Sequence, residues 1–360
     1  MIYIILGTKG QFMKMFPIMK LFDKNKVLYK FIHTGQHYGI IEDNIKRFKV
    51  KKPDVYLTIK KDDLKNIWEM VEWVPKVLWN ARALPITKDD CVIIHGDAES
   101  TLLGFLIGKF FRAKIAHVES GYRSGDALEP FPEEIIRRFV DRFSDIDFTP
   151  YEKFVFHINK KNGIIVTNGN TVFDSVRYAL AESVSLKAKK LMNKKYAILL
   201  IHRKENLFVK NRMEIIIDSL DIILKNGLRV IWPIHTNTKF ELEKKDLWRK
   251  VDKLKSKYDL VLDYFFDYVD FMHLIENSEF VASDGGGVQK ETYFMDIPML
   301  ILRKKTEYEP GVGENSFLSY LKMEKILYFL KNYKEFRRKG EVKGSPSKIV
   351  VDYFLGLSRG

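Results

Sequence analysis

Short runs of aliphatic and β-branched residues alternate with helix-length segments along this chain, and the alternation begins twice. The first set of runs is Ile2–Leu6, Tyr29–His33, Cys91–His95, Lys114–Val118 and Ile146–Thr149. The second set lies at residues 196–201, 229–234, 260–262, 280–282 and 299–302. Helical segments include 13–22, 100–111, 213–224, 269–275 and 288–293. Because this order is typical of parallel sheets covered by helices on both faces, we predict an α/β protein with two Rossmann-like, doubly wound sheets.

The length of 360 residues also favours two domains, since one domain usually holds roughly 100–200 residues. Asn168-Gly169-Asn170 precedes a helical segment at 171–179. We place the boundary there, with a first domain at 1–169 and a second at 170–347. The apolar C-terminal stretch predicts a closing helix at about 348–360, and we expect this helix to pack back on the first domain.

The formal net charge is +14. A basic surface can serve nucleic acid, anionic lipid or a phosphorylated ligand, and it can also be a lysine-rich solvated surface without a partner. The lysines are spread along the whole chain, and no nucleic-acid-binding motif accompanies them. We therefore expect no nucleic acid partner, whereas a small phosphorylated ligand needs only a few of these cations.

The single cysteine, Cys91, excludes an intrachain disulfide and a metal cluster built from several cysteines and histidines. It lies in an apolar run, which predicts a buried side chain. The apolar N-terminal run ends at Gly7, without the basic region and the length of a signal peptide. No apolar run approaches the roughly 18–20 residues of a membrane span. We therefore expect a cytoplasmic protein with no membrane contact.

Polar segments follow the predicted strands, at the carboxyl ends where open parallel sheets bind their ligands. In the first half these segments are Gly7-Thr8-Lys9-Gly10, Thr34-Gly35-Gln36-His37, His95-Gly96-Asp97 and Glu119-Ser120-Gly121-Tyr122-Arg123-Ser124-Gly125-Asp126. In the second half they are His202-Arg203-Lys204-Glu205-Asn206, His235-Thr236-Asn237 and Ser283-Asp284-Gly285-Gly286-Gly287. The sequence therefore predicts one ligand-binding edge in each half.

Three carboxylates are the strongest candidates for chemistry. Asp97 and Glu119 follow neighbouring short strands, and Glu133 stands at the start of a predicted helix. Such acids can supply a base and an acid with separated pKa values. The structural alternative makes Asp97 and Glu119 helix caps or acceptors for loop N–H groups, and makes Glu133 a first-turn charge favoured by the helix dipole.

A second group of residues favours phosphate binding. Gly285-Gly286-Gly287 opens a predicted helix, where backbone N–H groups and the positive end of the helix dipole attract anions. His202 and Arg203 directly follow a strand and could neutralise phosphate. A plain turn and a hydrogen-bonded loop histidine remain open alternatives. The spacing is not that of a P-loop, and Gly7-Thr8-Lys9-Gly10 is not a GxGxxG motif, so we expect no NAD.

These motifs occur in the order found in a known family. The matching segments are Gly7-Thr8-Lys9 with Lys14-Met15-Phe16-Pro17, Thr34-Gly35-Gln36-His37, His95-Gly96-Asp97, His117 to Asp126, Pro132-Glu133-Glu134-Ile135-Ile136-Arg137, Gly169-Asn170-Thr171-Val172-Phe173-Asp174 and Ser283 to Glu291. Together they resemble the UDP-N-acetylglucosamine 2-epimerases over nearly the whole chain.

The resemblance implies a GT-B architecture, in which the two sheet domains face each other across a cleft that holds the nucleotide-sugar. It also implies a reaction without metal or cofactor. A base removes the C2 proton, UDP leaves by anti elimination to give 2-acetamidoglucal, and UDP adds back with C2 protonated on the other face. By this resemblance the catalytic residues are Asp97, Glu119, Glu133, His202 and Lys14. The UDP-sugar would contact Lys9, Arg137, Arg203, His235, Gly285, Gly286, Gly287 and Glu291, with Glu291 on the uridine ribose.

The chain departs from the family pattern mainly on the phosphate side. Lys9 stands where the family usually has arginine, Gln11 where it has glutamate, Gly285 where it has serine, and Tyr308 where it has arginine. Ile136 replaces an asparagine. A lysine keeps the charge of an arginine but lacks its bidentate fork. The three carboxylates match the family, so the departures concern substrate identity and affinity more than the class of reaction.

The first hypothesis is therefore a UDP-N-acetylglucosamine 2-epimerase, an isomerase that interconverts UDP-N-acetylglucosamine and UDP-N-acetylmannosamine. A hydrolysing relative, which releases a free N-acetylmannosamine-type sugar and UDP, is the alternative. A GT-B glycosyltransferase or a weakly catalytic nucleotide-sugar-binding protein is an alternative of another class. By analogy with the family we expect a homodimer.

Overall fold

A computed structural model describes residues 1–36, 38–59, 67–125, 132–158, 163–263, 266–306, 308, 310–338 and 342–357. The chain divides into two compact units, the first comprising Met1–Tyr178 and Gly344–Gly360 and the second Ala179–Lys343. Among the described residues, no helix combines the length and the apolar character that crossing a membrane requires.

Within the described residues, the first unit contains a sheet of seven parallel strands in the order β3-β2-β1-β4-β5-β6-β7. The strands are β1 Ile2–Leu6, β2 Tyr29–His33, β3 Val55–Tyr56, β4 Cys91–His95, β5 Lys114–Val118, β6 Ile146–Thr149 and β7 Ile164–Val166. The central strands are short apolar runs that are buried almost throughout, as expected where helices cover both faces of a parallel sheet.

The helices of the first unit are α1 Lys9–Lys24, α2 Tyr38–Phe48, α3 Ile67–Ala81, α4 Glu99–Phe110, α5 Glu133–Phe143, α6 Glu152–Val155, α7 Val172–Leu180 and the C-terminal α16 Pro346–Leu357. Helices α1 to α6 lie between these strands in the chain, and α7 and α16 follow the last strand. Helix α1 begins at a capping box, in which the Thr8 side chain accepts from the Gln11 N–H and the Gln11 side chain accepts from the Thr8 N–H. This reciprocal pair fixes where the chain leaves β1 and turns into the helix.

In the described part of the second unit, six parallel strands form a sheet in the order β10-β9-β8-β11-β12-β13. They are β8 Tyr196–Leu200, β9 Arg229–Pro233, β10 Leu260–Asp263, β11 Phe280–Ser283, β12 Met299–Ile301 and β13 Ser316–Leu318. The helices are α8 Leu186–Leu191, α9 Lys204–Leu207, α10 Lys210–Lys225, α11 Thr236–Lys244, α12 Trp248–Lys257, α13 Tyr268–Glu276, α14 Gly286–Phe294 and α15 Met323–Asn332, and a 3-10 turn follows at Tyr333–Phe336.

Each sheet has one point where the direction of winding reverses. In the first unit it lies between β1 and β4, and in the second between β8 and β11. Loops that leave the two strands at such a point diverge to opposite faces of the sheet and open a crevice beyond the carboxyl ends. The residues after β1 and β4 in one unit, and after β8 and β11 in the other, are therefore placed to bind ligands.

The predicted fold class of two Rossmann-like parallel-sheet domains is confirmed. The five strands predicted in the first half have the observed bounds. Sequence analysis missed Val55–Tyr56, Ile164–Val166 and Ser316–Leu318. These strands have two or three residues, which is too short for a hydrophobic pattern to repeat.

The division between the units falls after Tyr178, whereas sequence analysis places it after residue 169. The difference arises because helix α7 is bonded to the first unit. Ser175 Oγ donates to the carbonyl of Met13, and Asp174 Oδ2 accepts from the Ser347 N–H at 2.8 Å. Helix α16 belongs to the same unit, with the ring centroid of its Phe354 5.8 Å from that of Phe22.

Candidate functional site

Gln11 joins the carboxyl ends of the two central strands of the first unit. Its side chain is buried, and Oε1 accepts from the Gly7 N–H at 2.9 Å. Its Nε2 donates to the His95 carbonyl and to Thr101 Oγ1, both at 2.9 Å. A glutamate at this position has no N–H to donate to the carbonyl. The glutamine that departs from the family pattern therefore suits its surroundings, which offer an acceptor to its amide N–H. Its side chain holds the loops after β1 and β4 together and does not face a ligand.

Glu119 is held by two basic side chains at this edge of the sheet. Its Oε2 lies 2.6 Å from Lys14 Nζ and 2.9 Å from His95 Nε2. Burial lowers the pKa of His95, although Glu119 opposes that change, so the imidazole is neutral near pH 7. A neutral imidazole can donate one N–H to the carboxylate. Sequence analysis named Lys14 and Glu119 and missed His95 as their third partner.

The backbone of Glu119 adopts an uncommon conformation. Its φ is +69°, in the left-handed region that costs a residue with a Cβ roughly 1–2 kcal/mol. The Glu119 N–H and the following Ser120 N–H both bond to the Phe148 carbonyl at 3.1 Å. Strain of this kind persists where the surroundings enforce it, and it clusters at functional sites. The position of Glu119 is thus imposed by the fold.

Asp97 and Arg137 form an ion pair on the same side of the sheet. The Asp97 side chain is 36% exposed, whereas Arg137 is buried. Arg137 also donates to Glu134 Oε2 at 2.5 Å. Burial opposes the charge of the guanidinium, but Asp97 and then Glu134 raise the pKa of Arg137 above its usual value. Arg137, predicted as a substrate contact, therefore pairs with two carboxylates. Of these two carboxylates, that of Asp97 is the more exposed to solvent.

Glu133 is the first residue of helix α5, as sequence analysis predicts. Arg137 follows it by four residues, which places both on one face of the helix. The segment 126–131 that precedes α5, including Asp126 of the quoted motif, lies outside the described residues, as does His37. Helix α5 thus carries Glu133 on the face from which Arg137 reaches Asp97.

In the second unit, Asp284 organises the loop after β8. Its Oδ1 accepts from the His202 N–H at 3.1 Å. Its Oδ2 accepts from the Arg203 N–H at 3.1 Å and from Asn206 Nδ2 at 3.0 Å. A single buried carboxylate therefore fixes the segment that carries the predicted phosphate ligands. This leaves His202 and Arg203 with side chains that are 40% and 23% exposed.

The glycine turn after β11 packs closely against the His202 side chain. Gly285 precedes helix α14, and its N–H is bonded to Ser283 Oγ at 3.0 Å. A Cβ at Gly285 would lie 2.8 Å from Cε1 of His202. The glycine at a position where the family has serine therefore leaves room for the imidazole. Gly286 and Gly287 form the first turn of α14, and a Cβ at Gly287 would meet no other group within 4 Å.

Other cations lie along the same edge. Arg203 Nη1 and Arg303 Nη2 lie 4.0 Å and 3.4 Å from the same Glu205 oxygen, and the His235 ring lies 5.6 Å from the His202 ring. Sequence analysis missed Arg303. Its position two residues after β12 is the signal that could have identified it, because the carboxyl ends of parallel strands share one edge.

Glu291 and Tyr308 are both buried in the second unit. Glu291 lies beside Tyr268, and burial followed by the charge of Glu291 raises the pKa of that phenol. The Tyr308 carbonyl accepts from Gln289 Nε2 at 2.7 Å, and its ring packs against Tyr293. Tyr308, where the family has arginine, is therefore a core residue. Its neighbours Glu307 and Glu309 lie outside the described residues.

Lys9, which the resemblance places at the phosphate, is the first residue of helix α1. It precedes Lys14 by five residues on the same helix. Lys14 contacts Glu119, so the structure assigns this lysine to the carboxylates of the first unit.

A family model described as UDP-N-acetylglucosamine 2-epimerase matches residues 19–345. A Methanococcus maripaludis protein described as a UDP-N-acetylglucosamine 2-epimerase homolog is 34% identical over 98% of this chain and 99% of its own length. The UDP-N-acetylglucosamine 2-epimerase of Methanocaldococcus jannaschii is 31% identical over 84% of each chain. A crystal structure of the M. jannaschii UDP-GlcNAc 2-epimerase in complex with UDP-GlcNAc and UDP has 28% identity and a TM-score of 0.82, and the match covers 100% of this chain and 99% of that chain.

Proposed function

The chain belongs to the UDP-N-acetylglucosamine 2-epimerase family, and we propose that it interconverts UDP-N-acetylglucosamine and UDP-N-acetylmannosamine in the cytoplasm by inverting C2 of the sugar. The observation that carries this proposal is Glu119, a strained and buried carboxylate that lies between Lys14 and His95. The M. jannaschii relative solved with UDP-GlcNAc and UDP supports the choice of substrate.

The proposed reaction needs a base and an acid and no redox step. A carboxylate removes the C2 proton while the bond between C1 and the UDP oxygen breaks, which leaves 2-acetamidoglucal and UDP. The UDP oxygen then bonds to C1 again, and C2 receives a proton on the opposite face. Asp97, Glu119 and Glu133 supply the base and the acid, and Lys14 balances the charge of Glu119.

We assign the binding of UDP to the second unit. The N–H groups of Gly286 and Gly287 at the start of α14 attract an anion, and the side chains of His202, Arg203 and Arg303 add positive charge. The hydrogen bonds from the backbone to Asp284 hold His202 and Arg203 in place before the ligand arrives. The Glu291 carboxylate is proposed to accept hydrogen bonds from the hydroxyl groups of the uridine ribose.

A homodimer is part of the proposal, and an apolar face on the first unit supports it. Trp79 is 70% exposed and Phe110 is 64% exposed. With Leu106 and Phe111 they line a groove of about 450 Å³. Exposed apolar surface of this kind marks interaction sites. Analytical ultracentrifugation of the wild type and of Trp79→Lys tests the assignment: a dimer that becomes a monomer in the variant supports it, and an unchanged sedimentation coefficient contradicts it.

Product analysis tests the proposed activity. The purified protein is incubated with UDP-GlcNAc, and the products are followed by ¹H and ³¹P NMR. The proposal expects UDP-N-acetylmannosamine, with the diphosphate linkage intact. Free N-acetylmannosamine together with UDP would assign the hydrolysing reaction instead. Transfer of sugar to an added acceptor, or binding without turnover, would assign the glycosyltransferase or the binding protein.

A further inference from the structure

His117 is a buried histidine with both ring nitrogens engaged. On β5, its Nδ1 lies 2.9 Å from Asp141 Oδ1 and its Nε2 lies 2.7 Å from the carbonyl oxygen of Gly96. Both partners are acceptors, so the ring donates from both nitrogens and carries a positive charge. Burial opposes that charge, but Asp141 raises the pKa of His117 above its usual value. The ring therefore joins helix α5 to the turn that lies between His95 and Asp97.

Asp141 uses its second oxygen on another turn. Its Oδ2 accepts from the Gly121 N–H at 3.2 Å and from Arg123 Nη1 at 2.5 Å. Arg123 Nη1 also donates to the Tyr122 carbonyl at 2.7 Å. These contacts fix the backbone two to four residues beyond Glu119. Asp141 therefore contacts His117 with one oxygen and the loop after Glu119 with the other.

The two turns need such support because their backbone is unusual. Gly96 has φ of +67°, Glu119 of +69° and Gly121 of +88°. The three residues lie in the left-handed region, in which only glycine is free of steric cost. Backbone conformations of this kind persist only where the surrounding structure enforces them, so contacts with neighbouring elements hold this geometry.

Helix α5 contributes to this network from one face. Glu133, Arg137 and Asp141 follow each other at intervals of four residues, and this spacing places them along one side of the helix. Arg137 pairs with Asp97, and Asp141 reaches His117 and Gly121. The same helix thus carries one of the three candidate acids and fixes the loops that bear the other two.

We propose that His117 and Asp141 are positioning residues for the reaction: His117 fixes the turn at Gly96 that carries Asp97, and Asp141 fixes the turn at Gly121 that follows Glu119. The catalytic part of this inference rests on the proposed function. A displacement of about 1 Å in a catalytic group can lower the rate by roughly 10²-fold, so two buried contacts without access to the substrate can control turnover.

A metal site is the alternative explanation for this cluster of side chains. His117, Asp141 and Asp147 offer ligand atoms within 4.8 Å of one another. A ring that donates from both nitrogens has no lone pair left for a metal ion. Asp147 Oδ1 lies 3.8 Å from His117 Nδ1, and it adds negative charge beside the imidazolium. The contacts therefore favour an ionic network over a metal centre.

Two substitutions separate the contacts of His117. An asparagine amide can replace Nδ1 and keep the contact with Asp141, whereas a glutamine amide can replace Nε2 and keep the contact with Gly96. We expect His117→Asn to lower kcat by about tenfold or more, with KM for the UDP-sugar changed by less than about threefold. His117→Gln should retain kcat within about threefold of the wild type. Equal kcat values in the wild type and both variants would contradict the proposal.

Asp145→Ala is the matched control for a loss of stability alone. Its Oδ2 accepts from the Ile115 N–H at 2.8 Å, so it links the loop after α5 to the amino end of β5, away from the proposed acids. We expect a lower unfolding temperature in this variant with an unchanged kcat. If Asp145→Ala lowers kcat as much as His117→Asn does for a similar loss of unfolding temperature, the effect follows stability alone, the role of His117 is structural and the proposal is wrong.

Backbone hydrogen exchange tests the contact without any substrate. Peptides that cover residues 95–98 should exchange faster in His117→Asn than in His117→Gln and the wild type. Equal protection in the three proteins would overturn the inference, whatever the activity. If the wild type does not turn over UDP-GlcNAc but exchange differs as expected, the proposed function fails and the fixing of the turn by His117 stands.

Discussion

The carboxyl edges of the two sheets are built from the same topology, yet they hold opposite kinds of groups. In the first unit, acidic side chains are paired with cations: Glu119 with Lys14, and Asp97 with Arg137. In the second unit, the acid at the corresponding place, Asp284, is bonded to backbone N–H groups. The basic side chains of His202 and Arg203 remain partly exposed there, with Glu205 beside Arg203. The comparison supports the proposal that the first edge serves proton transfer and the second edge anion binding.

The two edges also differ in how their groups are fixed. In the first unit, side chains bond to side chains that are far away in sequence, such as Lys14 to Glu119, 105 residues apart. In the second unit, the fixed elements are the backbone of residues 202–203 and the glycine turn. A proton-transfer site needs positioned side chains, whereas an anion site is satisfied by N–H groups and nearby positive charge. Substitutions at the two edges should therefore affect different steps.

The largest effect is expected from removing a carboxylate of the first edge. Glu119→Gln, Asp97→Asn and Glu133→Gln should each lower kcat by roughly 10²–10⁴-fold, the range for positioned acid–base groups. Affinity for UDP should change little, because these groups do not contact the nucleotide in the proposal. Steady-state kinetics and calorimetric titration of UDP measure the two effects separately.

Asp54→Asn is the matched control in the same unit. Asp54 is paired with Lys51 at 2.8 Å and precedes β3, away from the carboxyl edge. The variant should keep the wild-type kcat. A folded variant of Asp97, Glu119 or Glu133 with near-normal turnover would remove that residue from the mechanism.

A smaller and different effect is expected at the second edge. Arg203→Ala should weaken UDP binding by roughly 1.5–3 kcal/mol, the range for a hydrogen bond to a charged group. A surface charge without a ligand would give a change within about 0.5 kcal/mol. Arg229→Ala is the control, because Arg229 begins β9 at the opposite edge and is paired with Asp259 at 3.1 Å. Equal affinities in both variants and the wild type would remove Arg203 from the nucleotide site.

The smallest expected effect is a pH dependence of UDP binding. Burial lowers the pKa of His202, Asp284 opposes this change, and Arg203 adds to it, so the free protein holds a neutral imidazole near pH 7. Phosphate oxygens favour the protonated ring, so binding takes up a proton and becomes tighter as the pH falls. The limit for one proton is roughly tenfold per pH unit.

Titration of UDP between about pH 8 and about pH 6.5 measures this slope, compared with that of His202→Gln, which cannot be protonated in this range. The variant also accounts for the titration of the nucleotide itself, because that contribution is common to both proteins. Identical slopes in the two proteins would mean that His202 does not take up the proton.

The sequence predicts the two sheets well because each central strand is a short apolar run that ends in a polar segment. It also predicts the positions of the candidate acids, since they directly follow strands or begin a helix. The partners of those acids are harder to predict. Gln11 bonds to the His95 carbonyl, 84 residues away, and His117 bonds to Gly96 inside the core. Such contacts leave no local pattern in the sequence.

The role of two other residues depends on burial that sequence analysis could not assign. Arg137, a predicted substrate contact, is buried and pairs with Asp97 and Glu134. Tyr308 occupies the place of a family arginine, but its ring lies in the core and its carbonyl accepts from Gln289. A charged or aromatic side chain near a strand end can face either the ligand or the interior, and only packing decides between the two.

Solvent exchange at C2 tests the central claim, that the acids of the first edge remove and return this proton. The wild-type protein is incubated with UDP-GlcNAc in D₂O, and the UDP-sugars are analysed by ¹H NMR and mass spectrometry. The account predicts one deuterium at C2 of UDP-N-acetylmannosamine, and its gradual appearance at C2 of the recovered UDP-GlcNAc. UDP-N-acetylmannosamine that forms with hydrogen retained at C2 would contradict it.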